Sequence, residues 1–188
     1  RDLAPATRRA ECGVTDVALA GLAPAKHLRV LRMSQSRCTR AGLAALREFL
    51  PDAAVLHAAE DTRPYECDGL SAYRQVPWLV VLPDTVEQVQ RIMRLCHTRG
   101  IPVVARGAGT GLSGGALPHA EGVLLSLAKF TSILGIDPAN RTARVQPGVR
   151  NLAISQAAAA HGLYYAPDPS SQIACTIGGN VAENSGGV

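Results

Sequence analysis

Five glycines fall within the nine residues from Gly107 to Gly115, at the end of the stretch Ile101-Pro-Val-Val-Ala-Arg-Gly-Ala-Gly-Thr-Gly-Leu-Ser-Gly-Gly115. Glycines lack a Cβ, so a cluster of them lets successive backbone N–H groups converge on one point, the arrangement that holds a phosphate. Thr110 and Ser113 add hydroxyl donors to the same turn. A second cluster, Thr176-Ile-Gly-Gly-Asn180 followed by Asn184-Ser-Gly-Gly187, has the same character. Two such loops predict a ligand with a long phosphate-bearing spine, which points towards a dinucleotide.

The known phosphate motifs narrow this reading. Gly109-Thr-Gly-Leu-Ser-Gly114 satisfies G-x-G-x-x-G, but a nicotinamide-binding unit needs a helix to open at the loop. Pro118 and the strand-like Val123–Leu127 follow too closely to leave room for one. No Gly-Lys-Ser/Thr follows the glycines, which excludes a P-loop. A lone glycine would be read as a turn residue; five with two hydroxyls are more than a turn requires. Asp168-Pro-Ser-Ser171 reads as an Asx-type turn or, from its place just before the second cluster, as part of the same site.

The elements that carry these loops are legible from periodicity. Leu43, Leu46, Phe49 and Leu50 fall at helical spacing until Pro51 ends the run. Ala54–Leu56 reads as a short strand, and 60–76 as a polar surface loop. Trp78–Leu82 is a continuous apolar run, the pattern of a strand buried on both faces. A helix follows, with Thr85 and Gln88 at capping-box spacing, a face of Val86, Val89, Ile92, Met93 and Cys96, and Gly100 at its end. Ile101–Ala105 then returns as a strand, which makes a βαβ unit with parallel strands. Gly122–Leu127 is a further strand, Thr131–Ile136 and Thr142–Gln146 form a hairpin about Asp137-Pro-Ala-Asn140, and Leu152–Ala160 is a helix ended by His161-Gly162. The chain ends within a glycine-rich segment with no closing strand, which reads as truncation.

Composition bounds the alternatives. Of nineteen basic and fifteen acidic residues, eight and three lie in residues 1–40, leaving eleven against twelve in the remainder. The basic excess therefore belongs to the N-terminal segment, and with 4% aromatic residues the chain offers little surface for stacking bases. Nucleic acid is not expected as a partner. No apolar run approaches the roughly 20 residues of a membrane span. Five cysteines without a C-x-x-C pair and five histidines without close pairing signal neither a disulfide framework nor a metal site, and a reducing cytoplasm fits them best. The first residue is Arg and the first methionine is Met33, so 1–32 is read as a leader or other segment outside the fold.

From Tyr65 to Val188 the chain resembles the FAD-linked oxidases that carry the vanillyl-alcohol-oxidase (PCMH) type of flavin-binding domain, and within them the glycolate oxidase and D-lactate dehydrogenase branch. The resemblance is carried by Pro64-Tyr-Glu-Cys-Asp-Gly-Leu-Ser-Ala-Tyr73, by Val103–Gly115, and by Pro167–Ser171 with Thr176–Asn180. It implies an α+β fold: 33–77 is an N-terminal helix and loop region, and 78–188 a FAD-binding domain with a βαβ-containing subdomain and the start of a second, incomplete at its C-terminus. It also implies a site. Arg106, Gly107, Ala108, Gly109, Thr110, Gly111, Ser113, Gly114 and Gly115 would hold the FAD pyrophosphate. Pro169, Ser170, Thr176, Ile177, Gly178, Gly179, Asn180, Asn184, Ser185 and Gly186 would line the rest of the cofactor towards the isoalloxazine.

Some members tether flavin through a histidine in the first loop; Thr110 stands near that place here, so FAD is expected to bind noncovalently. The implied reaction is oxidation of a small 2-hydroxy acid, glycolate or D-lactate, to the 2-oxo acid. Catalytic residues are unknown, because the substrate-gripping groups of the family lie beyond this chain, which alone is expected to be inactive. Arg106 and Arg74 are candidates to pair a carboxylate, or structural residues. A non-catalytic FAD-binding or assembly module, or another reaction on the same flavin scaffold, remains the alternative. The implied partners are a second flavin-fold subunit and an iron–sulfur subunit, with a cytoplasmic location or a peripheral one at the inner membrane through those subunits.

Overall fold

The computed structural model of the chain describes residues 40–187, so the 1–32 segment lies outside it. Four short strands make the central sheet: β1 (Val55–Leu56), β2 (Leu79–Val81), β3 (Val103–Arg106) and β4 (Val123–Ser126). Their order is β1-β2-β4-β3, with β1 antiparallel to β2 and the other three parallel. The strands of the βαβ unit, β2 and β3, are thus parallel but not neighbours, since Val123 of β4 pairs with Leu79 on one side and Val103 on the other. Burial explains the order. Every residue of β4 is buried, so β4 takes a central place, whereas β3 is only partly covered and stands at the edge.

Helix α1 (Arg40–Arg47) and the turn after it bury Leu46 and Leu50, with Leu43 and Phe49 packed beside them. A 3₁₀ turn at Asp52–Ala54 precedes β1. The region 60–76 is more ordered than the surface loop its polarity suggested. It begins with α2 (Ala59–Thr62) and a 3₁₀ turn at Arg63–Tyr65, and it buries Thr62 and Asp68. Asp68 Oδ1 accepts the Leu70 N–H at 2.9 Å, and the Gln75 N–H bonds the Glu66 carbonyl at 2.7 Å. Short-range polar pairing of this kind leaves no hydrophobic period to read.

Helix α3 (Val86–Arg99) starts and stops at its sequence signals. The Thr85 hydroxyl accepts the Gln88 N–H at 3.2 Å, and Gly100 ends the helix at φ +61. The Ile101 N–H reaches back to the Cys96 carbonyl at 2.8 Å while its side chain enters the core. The buried stripe is rotated from the one expected. Ile92 and Cys96 are buried with Val89 and Leu95 beside them, while Val86 and Met93 are 55% and 46% exposed. Arg91 covers part of the neighbouring surface, its guanidinium 4.1 Å from the Phe49 ring centroid. Burial pushes the Cys96 thiol above its ordinary pKa, which makes it a packing group rather than a nucleophile.

The second part of the chain holds a hairpin and two helices. Strands β5 (Ile133–Asp137) and β6 (Thr142–Val145) pair antiparallel in a separate two-stranded sheet. Their turn is closed by Asp137, whose Oδ1 accepts the Ala139 and Asn140 N–H groups at 3.0 and 3.1 Å. The Asn140 side-chain amide, then its backbone N–H, hold the Asp137 carboxyl below its ordinary pKa. Helix α4 (Asn151–Ala159) agrees with the expected segment, and α5 (Ile177–Ala182) does not: the second glycine cluster is a helix, not a loop. Two glycines cost a helix roughly 1 kcal/mol each. Tertiary contact outweighs that cost, because the Pro147 ring and carbonyl come so close to Gly178 that a Cβ there would meet them at 2.8 and 3.0 Å.

Candidate functional site

Strand β3 ends at Arg106 and the parallel β4 begins at Val123, so 107–122 must return the chain to the other end of the sheet, and it does so without a helix. The chain's path also reverses here. Helix α3 carries it from β2 past the position of β4 to β3, and the next connection steps back to β4. In parallel sheets such a reversal leaves a crevice beyond the carboxyl ends of the strands, where ligands bind. The glycine-rich segment 107–115 occupies that place.

Its backbone is unspent. Among the described residues, no N–H group from Gly107 to Gly115 donates to another protein group, and the hydroxyls of Thr110 and Ser113 make no hydrogen bond. Nine consecutive unpaired donors in a partly covered segment are unusual, since most backbone N–H groups find a partner. Gly109 and Gly114 take φ values of +71 and +74, which turns the loop twice.

Three elements support the loop from below. The Arg106 guanidinium lies under Gly109, donates from Nη1 to the Cys67 carbonyl at 2.7 Å, and sits 5.7 Å from the Tyr65 ring centroid. Gly69 packs so closely that a Cβ on it would meet the Thr110 and Gly111 carbonyl oxygens at 2.6 and 2.8 Å. Helix α5 closes the third side: Thr176 Oγ1 fills the space a side chain on Gly107 would need, and the Glu183 carboxylate does the same at Gly111. Thr176 Oγ1 and Asp68 Oδ2 are buried and have no hydrogen-bond partner.

The structure thus brings Arg106–Gly115 together with Thr176 and the turn after α5. It joins Asp168 to Gly186 through an N–H to carbonyl bond of 3.0 Å, which sets Pro169 beside the last glycines. Other members of the second group are engaged within the protein. The N–H groups of Ile177 and Gly178 bond the Val149 and Pro147 carbonyls, both at 2.9 Å. Asn180 donates its side-chain amide to Asn151 at 3.1 Å. Asn184, at φ +53, ends α5 in the left-handed region while the Ser185 N–H returns to the Asn180 carbonyl at 2.8 Å. Ser170 is exposed. Of the two arginines weighed as carboxylate partners, Arg74 pairs with Glu66 at 2.9 Å and Arg106 holds the Cys67 carbonyl.

The profile of the family described as "FAD binding domain" matches residues 77–188, more than half of the chain. The chain belongs to this FAD-binding domain family. Glycolate oxidase subunit GlcD of Escherichia coli strain K12 is 68% identical over 146 residues, 78% of this chain and 29% of that protein. D-lactate dehydrogenase of Anaerostipes hadrus is 39% identical over 135 residues, 71% of this chain and 28% of that protein. The solved structure of p-cresol methylhydroxylase with substrate bound superposes with a TM-score of 0.63 at 26% identity, over 76% of this chain and 30% of that one. The FAD-binding domain fold is therefore the PCMH-type α+β fold that the resemblance implied. The chain spans 29% of the length of the first of these relatives.

Sequence reasoning missed several residues of this FAD-binding domain. Asn151 is buried and bonds both the Pro167 carbonyl, at 2.8 Å, and Asn180. An asparagine opening an otherwise apolar helix was the signal for it. Asp68 and Gly69 were visible only as a motif, and the approach of Glu183 to the loop left no trace in spacing. Among the described residues no group of His, Cys, Asp and Glu could hold a metal, and no helix is long and apolar enough to cross a membrane.

Proposed function

We propose that this chain is the FAD-binding part of a flavoprotein oxidoreductase that oxidises a small 2-hydroxy acid, glycolate or D-lactate, to the 2-oxo acid. The observation that carries the reading is the row of unpaired N–H groups from Gly107 to Gly115, placed at the reversal of the sheet in a FAD-binding domain. A diphosphate fits those residues, since it supplies the acceptors that the loop amides, Thr110, Ser113 and the orphaned Thr176 hydroxyl lack. Pro169, Ser170 and the 184–186 segment are proposed to line the remainder of FAD, held without a covalent bond.

When bound, FAD supplies the hydride acceptor for the substrate α-carbon. This chain's residues bind and orient it: the loop takes the diphosphate, Arg106 places a fixed positive charge beneath the loop, and α5 closes the side. The likeness to a protein named as a glycolate oxidase subunit supports partner subunits. We take these to be a second flavin-fold chain and an iron–sulfur chain, with the protein cytoplasmic and attached peripherally at the inner membrane through them.

The test is the visible spectrum of the full-length protein carrying this segment, incubated with FAD and desalted, then treated anaerobically with glycolate or D-lactate. A retained flavin band that one of these acids bleaches is expected. A band that neither acid bleaches would reduce the segment to a flavin-holding module and sink the oxidation reading.

Thr176→Val separates binding from folding. Removing a buried hydroxyl with no partner should leave the flavin-free protein as stable as before or slightly more so. Loss of one donor should weaken FAD binding by roughly 5- to 10-fold. Thermal unfolding without FAD and flavin titration read the two effects; lower stability with unchanged affinity would mean the hydroxyl serves the fold alone.

A further inference from the structure

The N–H groups of 107–115 bond nothing among the described residues, so the shape of the loop must come from the groups packed around it. Arg106 makes three of those contacts with one side chain. It ends β3, and its carbonyl accepts the Leu127 N–H at 2.9 Å, which fixes the root of the side chain to the sheet. From there the guanidinium folds back under the turn it precedes. Nη1 donates to the Cys67 carbonyl at 2.7 Å and to the carbonyl of Ala116, directly after the last glycine, at 3.5 Å. Cζ and Nε lie 2.5 and 2.8 Å from where a Cβ on Gly109 would stand. The acceptor at Cys67 is itself held, since Asp68 Oδ1 takes the Leu70 N–H and the Glu66 carbonyl takes the Gln75 N–H.

We infer that Arg106 is a positioning residue for the cofactor: a clasp that ties the start of the loop to its end, and both to the 65–70 segment, so that the row of donors is already shaped when a diphosphate arrives. The inference rests on the assignment of 107–115 to the diphosphate of FAD. It adds to the positive charge of Arg106 a role that charge alone does not fill. A lysine would bring the same charge, but its ammonium ends at the place of Cζ, one bond short of the two carbonyls, and has no planar group to fill the space beneath Gly109. The absence of a Cβ at Gly109 then has a stated purpose, because it lets the guanidinium lie against the backbone where the chain turns at φ +71.

The experiment is FAD titration of the purified full-length protein and of its Arg106→Lys, Gly109→Ala and doubly substituted forms, with far-UV circular dichroism of each before flavin is added. Arg106→Lys is expected to bind FAD about tenfold more weakly although no charge is lost. Gly109→Ala should weaken binding about 50-fold in the native background, where its methyl group displaces the guanidinium. In the Arg106→Lys background it should cost only about fivefold, the backbone strain alone, so the two losses do not multiply. Native FAD affinity in Arg106→Lys would overturn the clasp and leave Arg106 as a charge. Losses that simply multiply in the double variant would also overturn it, because the guanidinium would then not act on the loop through Gly109. An Arg106→Lys protein that is unfolded without flavin would overturn it too, by making the residue a part of the fold rather than of the site. If the folded native protein binds no FAD, the loop assignment itself fails and the clasp falls with it.

Discussion

Replacing Gly109 by valine is expected to abolish flavin retention while leaving the four-stranded sheet folded. Two costs coincide at this position. Its φ of +71 lies in the left-handed region, where a β-branched residue is strained by about 1–3 kcal/mol. Any Cβ there also runs into the Arg106 guanidinium, which cannot move freely because its Nη1 is bonded to the Cys67 carbonyl at 2.7 Å. Displacing Arg106 loosens the 65–70 segment, and with it the Gly69 contact that supports the Thr110 and Gly111 carbonyls. We expect FAD affinity to fall more than about 100-fold, or roughly 3 kcal/mol. Gly114→Val is the informative companion. It carries the same backbone strain at φ +74 but faces open space, so it should cost about tenfold. The flavin band after desalting and the far-UV circular dichroism of both variants decide the matter. A Gly109→Val protein that keeps its flavin would remove the loop from the cofactor site.

The parts of this fold that were legible are those whose signals are local. Thr85 and Gly100 bound α3 because capping and left-handed closure depend on neighbouring residues. The Asp137–Asn140 turn and the parallel direction of β2 and β3 were readable for the same reason. Sheet order was not, because the insertion of β4 between β2 and β3 is decided by which strand is apolar enough to be covered on both sides. The glycines show the limit most clearly. Those of 107–115 and those of α5 look alike in sequence, yet the first leave their N–H groups free while Gly178 is small because Pro147 presses on it. Composition registers that a side chain is absent; only the fold shows whether a ligand or a neighbouring ring takes its space. Phase suffered similarly in α3, where the burial of Leu95 rather than Met93 depends on how the helix rolls onto the sheet.

Asn151→Ala should cost more than any other single change in the second half of the site. Asn151 has no exposed surface, and its side chain satisfies two partners from different segments: Nδ2 donates to the Pro167 carbonyl at 2.8 Å, and Oδ1 accepts from Asn180 at 3.1 Å. The first bond fixes the chain just before Asp168 and Pro169, and the second fixes α5, the helix that presents Thr176 to Gly107. Alanine leaves the Pro167 carbonyl and the Asn180 amide unpaired and opens a small void. An unsatisfied buried group costs about 1–3 kcal/mol, so a loss of about 2–4 kcal/mol is expected in urea unfolding. Asn151→Asp tests the direction of the network. An aspartate still accepts from Asn180 but opposes the Pro167 carbonyl, so it should lose the 167–169 anchor while keeping α5 in place. If α5 positions the cofactor's diphosphate and 168–169 its far end, the aspartate variant retains FAD more weakly, whereas the alanine variant fails to retain it at all. Equal retention in both would mean that Asn151 serves stability without positioning the site.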